Sequence, residues 1–485
     1  MKISIPSKRI LFLGYGAVAK CVWNYFDDYL TCLRKHVTLV DKNKDAFYGP
    51  NIKGIRKLIL DVNATNIDDL VDSLRMKEGD VIIDLTSSSA TYYFIKLCFR
   101  RGFHYINTSI EDTNDAMLGT SIDCQQKTVR DIAYAERHAI RSTILTECGQ
   151  NPGLIQHYVL YALQQLSGVK IVKNAAEKKR ILKKVIKDHK IGSILMSEID
   201  NMKTNKPIEK PLIYNTWSAV GFLVEALDKT EVVGGGTNNS FIKPVIPTTE
   251  WNNTSMDIHQ NIMTNHPYKV LFLNKSALQT TLNSICPILN EKGQIEFTNY
   301  RGRLIHHGEV FELARYFGKD APFMSYVYKN SPYMDESIRR FYTISKEVDD
   351  LWLYIHQDNS CHVFDNIKRK DDSDTFQLHG HDSIGCTLFC GEEKVDHIYW
   401  CGSILSDKDH IDPNFTPTVV QVTAGVLSGL SYILEEKNSA LGWIEPIDID
   451  TDYMLEKSIP LLGKFFFTEI PVEAFSGSFD YSTIM

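Results

Sequence analysis

The side chains in this sequence best suited to chemistry are carboxylates that stand beside an aromatic ring or a histidine. Glu198 follows Ser197 at the end of an apolar, strand-like run. Trp217 and Glu225 flank Ser218-Ala219-Val220-Gly221-Phe222, His307 and Glu309 belong to His306-His307-Gly308-Glu309, and Asp382 follows Gly380-His381. Carboxylates and imidazoles are the groups that most often carry protons in catalysis near neutral pH. Spacing alone also fits a rim carboxylate, a core tryptophan or a satisfied histidine at each of these places. Cys148, in Glu147-Cys148-Gly149-Gln150-Asn151-Pro152-Gly153, has no histidine near it in sequence and reads as a buried thiol more readily than as a nucleophile. Cys386 and Cys390 lack the two further ligands that zinc would need, so no metal is expected. The motifs of P-loop nucleotidases, serine-hydrolase elbows and helical zinc proteases do not occur.

A second chemistry is written near the start. Gly14-Tyr15-Gly16-Ala17-Val18-Ala19 lies at the exit of an apolar run, Arg9 to Leu13, and opens a helix. The first glycine permits a tight turn, the second lets the backbone approach a pyrophosphate, and the small Ala19 allows close packing of helix on sheet. The helix start then offers unpaired N–H groups and positive dipole charge to the phosphates. Asp41 follows the second strand, where a carboxylate can bind the ribose hydroxyls and would repel a 2′-phosphate, so NAD is favoured over NADP. Thr86, Ser87 and Ser88 follow the strand that ends at Leu85, at the carboxyl edge where such folds bind cofactor.

These residues need a frame. Residues 17–30 read as a helix, 36–40 as a strand, 55–60 as a strand, 67–74 as a helix, 80–85 as a strand, 90–101 as a helix, and 105–106 and 143–145 as the last strands. Continuous apolar strands alternating with helices indicate a doubly wound parallel sheet covered on both faces, an α/β unit over residues 1–150. From 151 the pattern changes to an apolar helix at 154–167, a lysine-rich, solvated helix at 174–190, and strand-like runs over 230–310 broken by glycine and asparagine. This predicts a second, α+β catalytic domain with a mixed or antiparallel sheet over 151–410. A C-terminal helical segment, 411–485, is expected to pack back toward the first domain; in its helix at 418–436, Ala424, Gly425, Ser428 and Gly429 permit close packing.

The 485 residues exceed one compact core, and 60 acidic against 53 basic side chains leave a net charge of −7. That balance gives no general attraction to nucleic acid or to an anionic membrane, and it tolerates a cationic substrate. No apolar run approaches the roughly 18 residues of a membrane span, and the N-terminus has no signal-peptide stretch. Ten scattered cysteines read as reduced thiols, which places the protein in the cytoplasm.

The sequence also resembles, almost end to end, the bacterial homospermidine synthases among the saccharopine-dehydrogenase-like oxidoreductases. The resemblance rests on the glycine motif at 14–19, Asn151-Pro152-Gly153, Asn215-Thr216-Trp217-Ser218 with Gly221-Phe222, His307-Gly308-Glu309, 382–385, 399–403 and 421–427. The glycine motif is common to many enzymes, whereas the Trp217 segment and the block from 399 to 427 are far more specific. Gly308 stands where the family pattern carries a polar residue, and Ala219-Val220 also departs from it.

Members of that family join two putrescine molecules into homospermidine. Bound NAD takes a hydride from the first diamine to give an imine, the second diamine attacks, ammonia leaves, and the same NADH returns the hydride. The resemblance implies that Glu198, Glu225, Glu309 and Asp382 supply a negative field for a diammonium ligand, and that Trp217 holds an ammonium by cation–π attraction. It further implies that His307 shuttles protons, that Asn151 orients a reacting nitrogen or the nicotinamide amide, and that Glu111 lines the same crevice. A homodimer is implied as well. Three rival readings differ in chemistry. A saccharopine-type oxidoreductase using free NAD would need clustered arginines, for which Arg301 and Arg303 are candidates. A carboxyspermidine-type reductive amination would use NADPH, against Asp41. A catalytically dead NAD sensor would lack the carboxylate and histidine set.

Overall fold

A computed structural model describes residues 2–48, 52–86, 90–110, 121–169, 174–204, 213–218, 221–222, 225–226, 229–234, 252–257, 262–332, 334–336, 361–363, 378–409, 411–435, 440–477 and 482–483. The N-terminal part alternates β1 (Ile10–Leu13), α1 (Ala17–Tyr29), β2 (Val37–Asp41), β3 (Arg56–Ile59), α2 (Ile67–Ser73), β4 (Val81–Asp84), α3 (Thr91–Arg101), β5 (His104–Asn107), α4 (Ile122–Ala135) and β6 (Thr143–Leu145). All of the strand pairings among them are parallel. Every residue of β1, β4 and β5 is buried, because helices cover both faces of the sheet. In register, Leu13 lies between Val40 and Asp84. The carboxyl ends of β1, β2 and β4 are therefore level, and the turn after Leu13, Asp41 and the Leu85-Thr86 segment converge at one edge.

The following elements are α5 (Leu154–Ser167), α6 (Ala175–Asp188), β7 (Ile191–Asp200), β8 (Lys229–Gly234), β9 (Asn252–Asp257), β10 (Ile262–Ser276), β11 (Thr280–Leu289), β12 (Ile295–Ile305), α7 (Gly308–Phe317), β13 (Phe323–Lys329), β14 (His381–Cys390) and β15 (His397–Ser406). Their nine strands, with two from the C-terminal segment, build an eleven-stranded mixed sheet with β7 near its middle. β7 is parallel to β13 and antiparallel to β14, and β14 and β15 form a hairpin. Paired residues share a face and alternate residues return to it. Tyr328 and Ile384 pair with Glu198, and Asp382 pairs with Asp200, so Glu198, Asp200, Tyr326, Tyr328 and Asp382 all project from one face. The opposite face is an apolar layer of Leu195, Ile199, Val327, Phe389 and Trp400 against Leu282 and Ile285. The Gly385 and Gly402 pair of the hairpin makes room for that indole: a Cβ on Gly385 would sit 2.5 Å from Trp400 Cζ2. The block around Trp400 therefore holds the sheet together from behind the polar face.

Residues 411–485, expected as helices, serve both sheets. α8 (Pro417–Leu434) starts at Thr416, whose side chain accepts the Val419 N–H at 3.2 Å, with Pro417 at the first helical position. Its length and mean hydropathy of 1.4 would suit a membrane span, contrary to the reading from apolar runs, but 94% of it is buried within the protein. Its glycines fit against the loop after β6: a Cβ on Gly425 would overlap the Gly149 carbonyl, and one on Gly429 would overlap the Cys148 sulfur. β16 (Gly442–Ile444) adds an edge strand to the parallel sheet beside β6, making seven. After α9 (Thr451–Ser458), β17 (Lys464–Ile470) pairs with β15 in the large sheet, and β18 (Ser482–Thr483) pairs with β11. One apolar core runs from β1 through α5 and α8 to the helix-covered side of the large sheet.

Candidate active site

The turn after β1 is built as a nucleotide cradle. Gly14 has φ of +79°, and a Cβ on it would lie 2.8 Å from the Leu85 carbonyl oxygen, so both conformation and space demand glycine. Gly16 is different. It caps α1 without any side-chain hydrogen bond, and a Cβ there would meet nothing within 4 Å. The N–H groups of the first turn, next to half-buried Ala17 and Val18, are thus open to an anion. Asp41 accepts the Tyr15 N–H at 2.7 Å on one oxygen and the Asn43 N–H at 2.8 Å on the other. Each oxygen keeps a free lone pair, as a ribose diol requires. The Thr86 hydroxyl donates to Asp84 at 2.6 Å, and Tyr105 donates to the same carboxylate at 2.7 Å. Thr86 is therefore anchored to the strand end. Ser87, Ser88 and Glu111 lie outside the described residues.

The loop after β6 carries the chain from this cleft to the large sheet. Its Asn151 Nδ2 donates to Glu198 Oε2 at 3.1 Å and to the Tyr326 hydroxyl, which itself donates to the same Glu198 oxygen. The Tyr326 ring lies on His307, with 4.4 Å between centroids and 13° between planes. His307, just before α7, has Nδ1 3.3 Å from Glu309 and Nε2 3.7 Å from Glu225. Trp217 meets Phe222 edge-on at 6.4 Å, and Phe222 meets Tyr328 at 6.0 Å. The described candidates Glu198, Trp217, Glu225, His307, Glu309, Asp382 and Asn151 therefore gather around one polar patch. Three partners were not singled out in the sequence: Asp200, Tyr326 and Tyr328. Their signal was there, since Glu198 with Asp200, and Tyr326 with Tyr328, are two apart on strands and so share a face.

Burial sets the charges of this patch. It pushes Glu198 up to about 8, a rise that the Tyr326 hydrogen bond opposes and the Asp200 charge reinforces. Asp200, bonded by Thr216 at 2.6 Å and by the Met202 N–H at 2.9 Å, is pushed up to about 6. Asp382 is 1% exposed, neither oxygen has a well-formed hydrogen bond, and burial plus the Glu198 and Asp200 charges hold it well above the carboxylate range. Burial works against the His307 imidazolium, but Glu309 and Glu225 outweigh it and raise the group well above the usual imidazole range. A buried acid set of this kind exchanges protons for a cation: an ammonium entering it lets the carboxylates ionise. Asp200 also lines a cavity of about 550 Å³ past the ends of β7 and β13, together with Lys203, Lys329 and Asp335.

Other candidates are structural. Cys148 is fully buried, its sulfur 3.5 Å from the Gly425 carbonyl, and burial raises the thiol far beyond a reactive range. His306 contacts the Lys229 carbonyl at 2.8 Å. His381 accepts the Leu289 N–H at 3.2 Å, and burial lowers it to about 4, so it stays neutral. Arg301 donates to Thr281, and Arg303 to Leu278 and Asp335.

A second buried acidic group joins the two domains. Carboxylate oxygens of Glu147, Glu312 and Glu445 lie within 4.8 Å of one another. Protein donors meet them: Gln126 reaches Glu147 at 2.9 Å and Glu312 at 3.3 Å, Gln156 reaches Glu312 at 2.5 Å, and Arg315 reaches Glu445 at 2.6 Å. Burial first, and the Glu445 charge second, push Glu147 up to about 8. Sequence reasoning found none of these, because three isolated glutamates more than a hundred residues apart show no motif.

Comparison with known proteins bears on both sites. Residues 10–143 match the family model of the saccharopine dehydrogenase NADP binding domain. The chain is 24% identical over 479 residues to a homospermidine synthase of Mesorhizobium japonicum, covering 94% of this chain and 88% of the relative. It is 23% identical over 473 residues to a homospermidine synthase of Blastochloris viridis, covering 94% and 89%. The homospermidine synthase structure from Legionella pneumophila in complex with NAD superposes with a TM-score of 0.72 at 21% identity, covering 97% of this chain and 92% of that one. Apo saccharopine dehydrogenase (L-Glu forming) from Saccharomyces cerevisiae superposes with a TM-score of 0.53 at 11% identity, covering 96% and 100%.

Proposed function

We propose that this chain, whose relatives along nearly its whole length are homospermidine synthases and whose fold is theirs, is an NAD-dependent enzyme that couples two putrescine molecules into homospermidine with release of ammonia. The observation that carries the reading is the buried set of Glu198, Asp200 and Asp382 on one sheet face, walled by aromatics and tied through Asn151 to the edge of a Rossmann cleft.

Gly14, Gly16, Ala17, Val18 and Asp41 fit NAD, by the open helix start and the free lone pairs of Asp41. When bound, NAD supplies an acceptor for a hydride from the carbon beside an amine and gives that hydride back at the end. The protein does the rest. Glu198, Asp200 and Asp382 hold the ammonium at the non-reacting end of a diamine, and Trp217 lines its path with an aromatic face. Asn151, already bonded to Glu198, orients a nitrogen against that carboxylate. His307, kept protonated by Glu225 and Glu309, gives the departing nitrogen its proton and takes up the one that the attacking amine sheds. Burial keeps water from competing with that amine for the imine carbon.

A saccharopine-type substrate gains no support here, since Arg301 and Arg303 are engaged by Thr281, Leu278 and Asp335. A homodimer, on the resemblance, and a cytoplasmic location, on the scattered cysteines, remain part of the reading; sedimentation and cell fractionation test them. The reaction is tested by mass spectrometry of products from purified protein given putrescine and catalytic NAD. Homospermidine and ammonia without net NADH support the reading. NADH accumulating without a coupled polyamine points to an ordinary dehydrogenase and overturns it.

A further inference from the structure

Tyr326 occupies a position that neither the glycine motif nor the acid set explains. It is 1% exposed, on the polar face of β13, and it touches three of the groups assigned above. Its hydroxyl donates to Glu198 Oε2 and accepts from Asn151 Nδ2, while its ring covers His307 almost in parallel. A phenylalanine here would preserve the ring and lose the hydroxyl, and an aliphatic residue would lose both. The hydroxyl of a buried tyrosine does not reach two polar partners by accident of packing, because an unmet polar atom at this depth is costly.

We propose that Tyr326 is a positioning residue of this site, one half of it clamping Glu198 to Asn151 and the other half fixing the ring plane in which His307 addresses Glu225 and Glu309. The inference rests on the amine-handling role assigned to Glu198 and His307. The two halves act on different atoms. Without the hydroxyl, Glu198 loses a donor that favours its charged form and faces Asp200, Asp382, Glu225, His307 and Tyr328 with less support. From the other strands, Tyr300 and Cys286 feel the Glu198 charge, and burial keeps both neutral. Without the ring, the imidazolium loses an aromatic face that stabilises its charge.

The test compares wild type with Tyr326→Phe and Tyr326→Leu, using Tyr326→Met in place of leucine if the smaller side chain leaves the protein unfolded. With putrescine, Tyr326→Phe should raise KM by about tenfold, the order expected for a lost hydrogen bond to a charged group, with kcat changed little. The acid limb of its kcat/KM profile should move to higher pH. Tyr326→Leu should in addition lower kcat by about 100-fold, the lower bound for a misplaced proton carrier. Nitrogen-15 NMR of labelled histidine gives a readout that needs no substrate: the His307 titration should move to lower pH in Tyr326→Leu and stay in place in Tyr326→Phe. Identical profiles and identical His307 titrations in all three proteins overturn the proposal. So does an equal loss of kcat in both variants without a shift in either titration, which marks a merely structural tyrosine. If wild type forms no homospermidine, the reaction assignment fails and the His307 titration still decides the role of Tyr326.

Discussion

The Glu147 carboxylate occupies the space that a side chain at position 308 would need. A Cβ on Gly308 would overlap Glu147 Oε1 and lie 2.6 Å from Gln126 Nε2. Position 308 therefore has room for glycine alone, and the polar group in that space comes from the loop after β6. Gly308 starts α7 between His307 and Glu309, so a side chain from the loop after β6 fixes where that helix begins.

Gly308→Ala should therefore destabilise the protein by about 2 kcal/mol, the usual cost of overpacking a buried site. Glu147→Gly should relieve it, since Glu147 has φ of +58°, a conformation glycine adopts freely. Denaturant unfolding of the two single variants and the double variant measures the coupling. Strictly additive effects would show that Glu147 does not dictate the residue at 308.

The same glutamate predicts how stability depends on pH. An ordinary glutamate loses its proton near 4.5, whereas folded Glu147 keeps it to about 8. Between those values the unfolded chain is deprotonated and the folded one is not, so folding loses stability as pH rises through that window; above about 8 the loss is complete. One proton is worth about 1.4 kcal/mol per pH unit. Glu198 and Asp200 act in the same direction, while buried His104 and His157, lowered to about 4 and about 3, cost stability as pH falls below 6.5. The melting temperature should peak on the mildly acidic side of neutrality and fall toward pH 9. Glu147→Gln should flatten the fall between about pH 4.5 and 8 and leave the profile below that window unchanged; parallel melting curves for the two proteins would sink the argument.

The nucleotide-binding domain was legible because its signals are local. Apolar runs such as Ile10–Leu13 and Val81–Asp84 are buried on both faces, so their composition alone marks them, and glycine, strand and acid follow in order. The reading of α8 was half right: its small residues do seat on Cys148 and Gly149, but the helix as a whole is apolar enough to span a membrane, which scanning for unbroken apolar runs missed. In the second domain, Glu198, Trp217, Glu225, His307, Glu309 and Asp382 stood out as carboxylates beside an aromatic ring or a histidine, but only the resemblance joined them into one site. What brings Glu198 to Asp382 is a pairing of strands almost two hundred residues apart, and no local pattern records a register. Tyr326 was missed for the same reason. The Glu147–Glu312–Glu445 group was missed because it forms only when a loop, a helix and an edge strand from separate parts of the chain meet.

Asp41 yields a prediction about the cofactor. The matched family model carries NADP in its description, yet a carboxylate stands at the end of β2, bonded on both oxygens to the turn backbone. Asp41→Asn keeps an acceptor for that backbone and removes the charge. Calorimetric titration should show NAD binding weakened by about tenfold, about 1.4 kcal/mol, with NADP weakened less or strengthened. An unchanged preference between the two would place the discriminating group elsewhere.

The acid patch predicts the pH dependence of activity. In the free protein Glu198 holds its proton up to about 8, so the group that must meet an ammonium is neutral over most of the physiological range. The parameter kcat/KM reports the free enzyme, and it should rise with pH along a limb near that value. The parameter kcat reports the complex, in which a bound ammonium favours the carboxylate, so its limb should lie at lower pH. Glu198→Gln should abolish the separation between the limbs and lower kcat/KM at pH 8 by about 100-fold, since a neutral amide cannot replace the charge. Trp217→Phe and Trp217→Ala should raise KM in that order, by about 2-fold to 30-fold, the range that a cation–π contact spans as it is desolvated. A Glu198→Gln profile that keeps the wild-type limb would mean that Asp382, which faces Glu198 across the same patch, is the group that titrates.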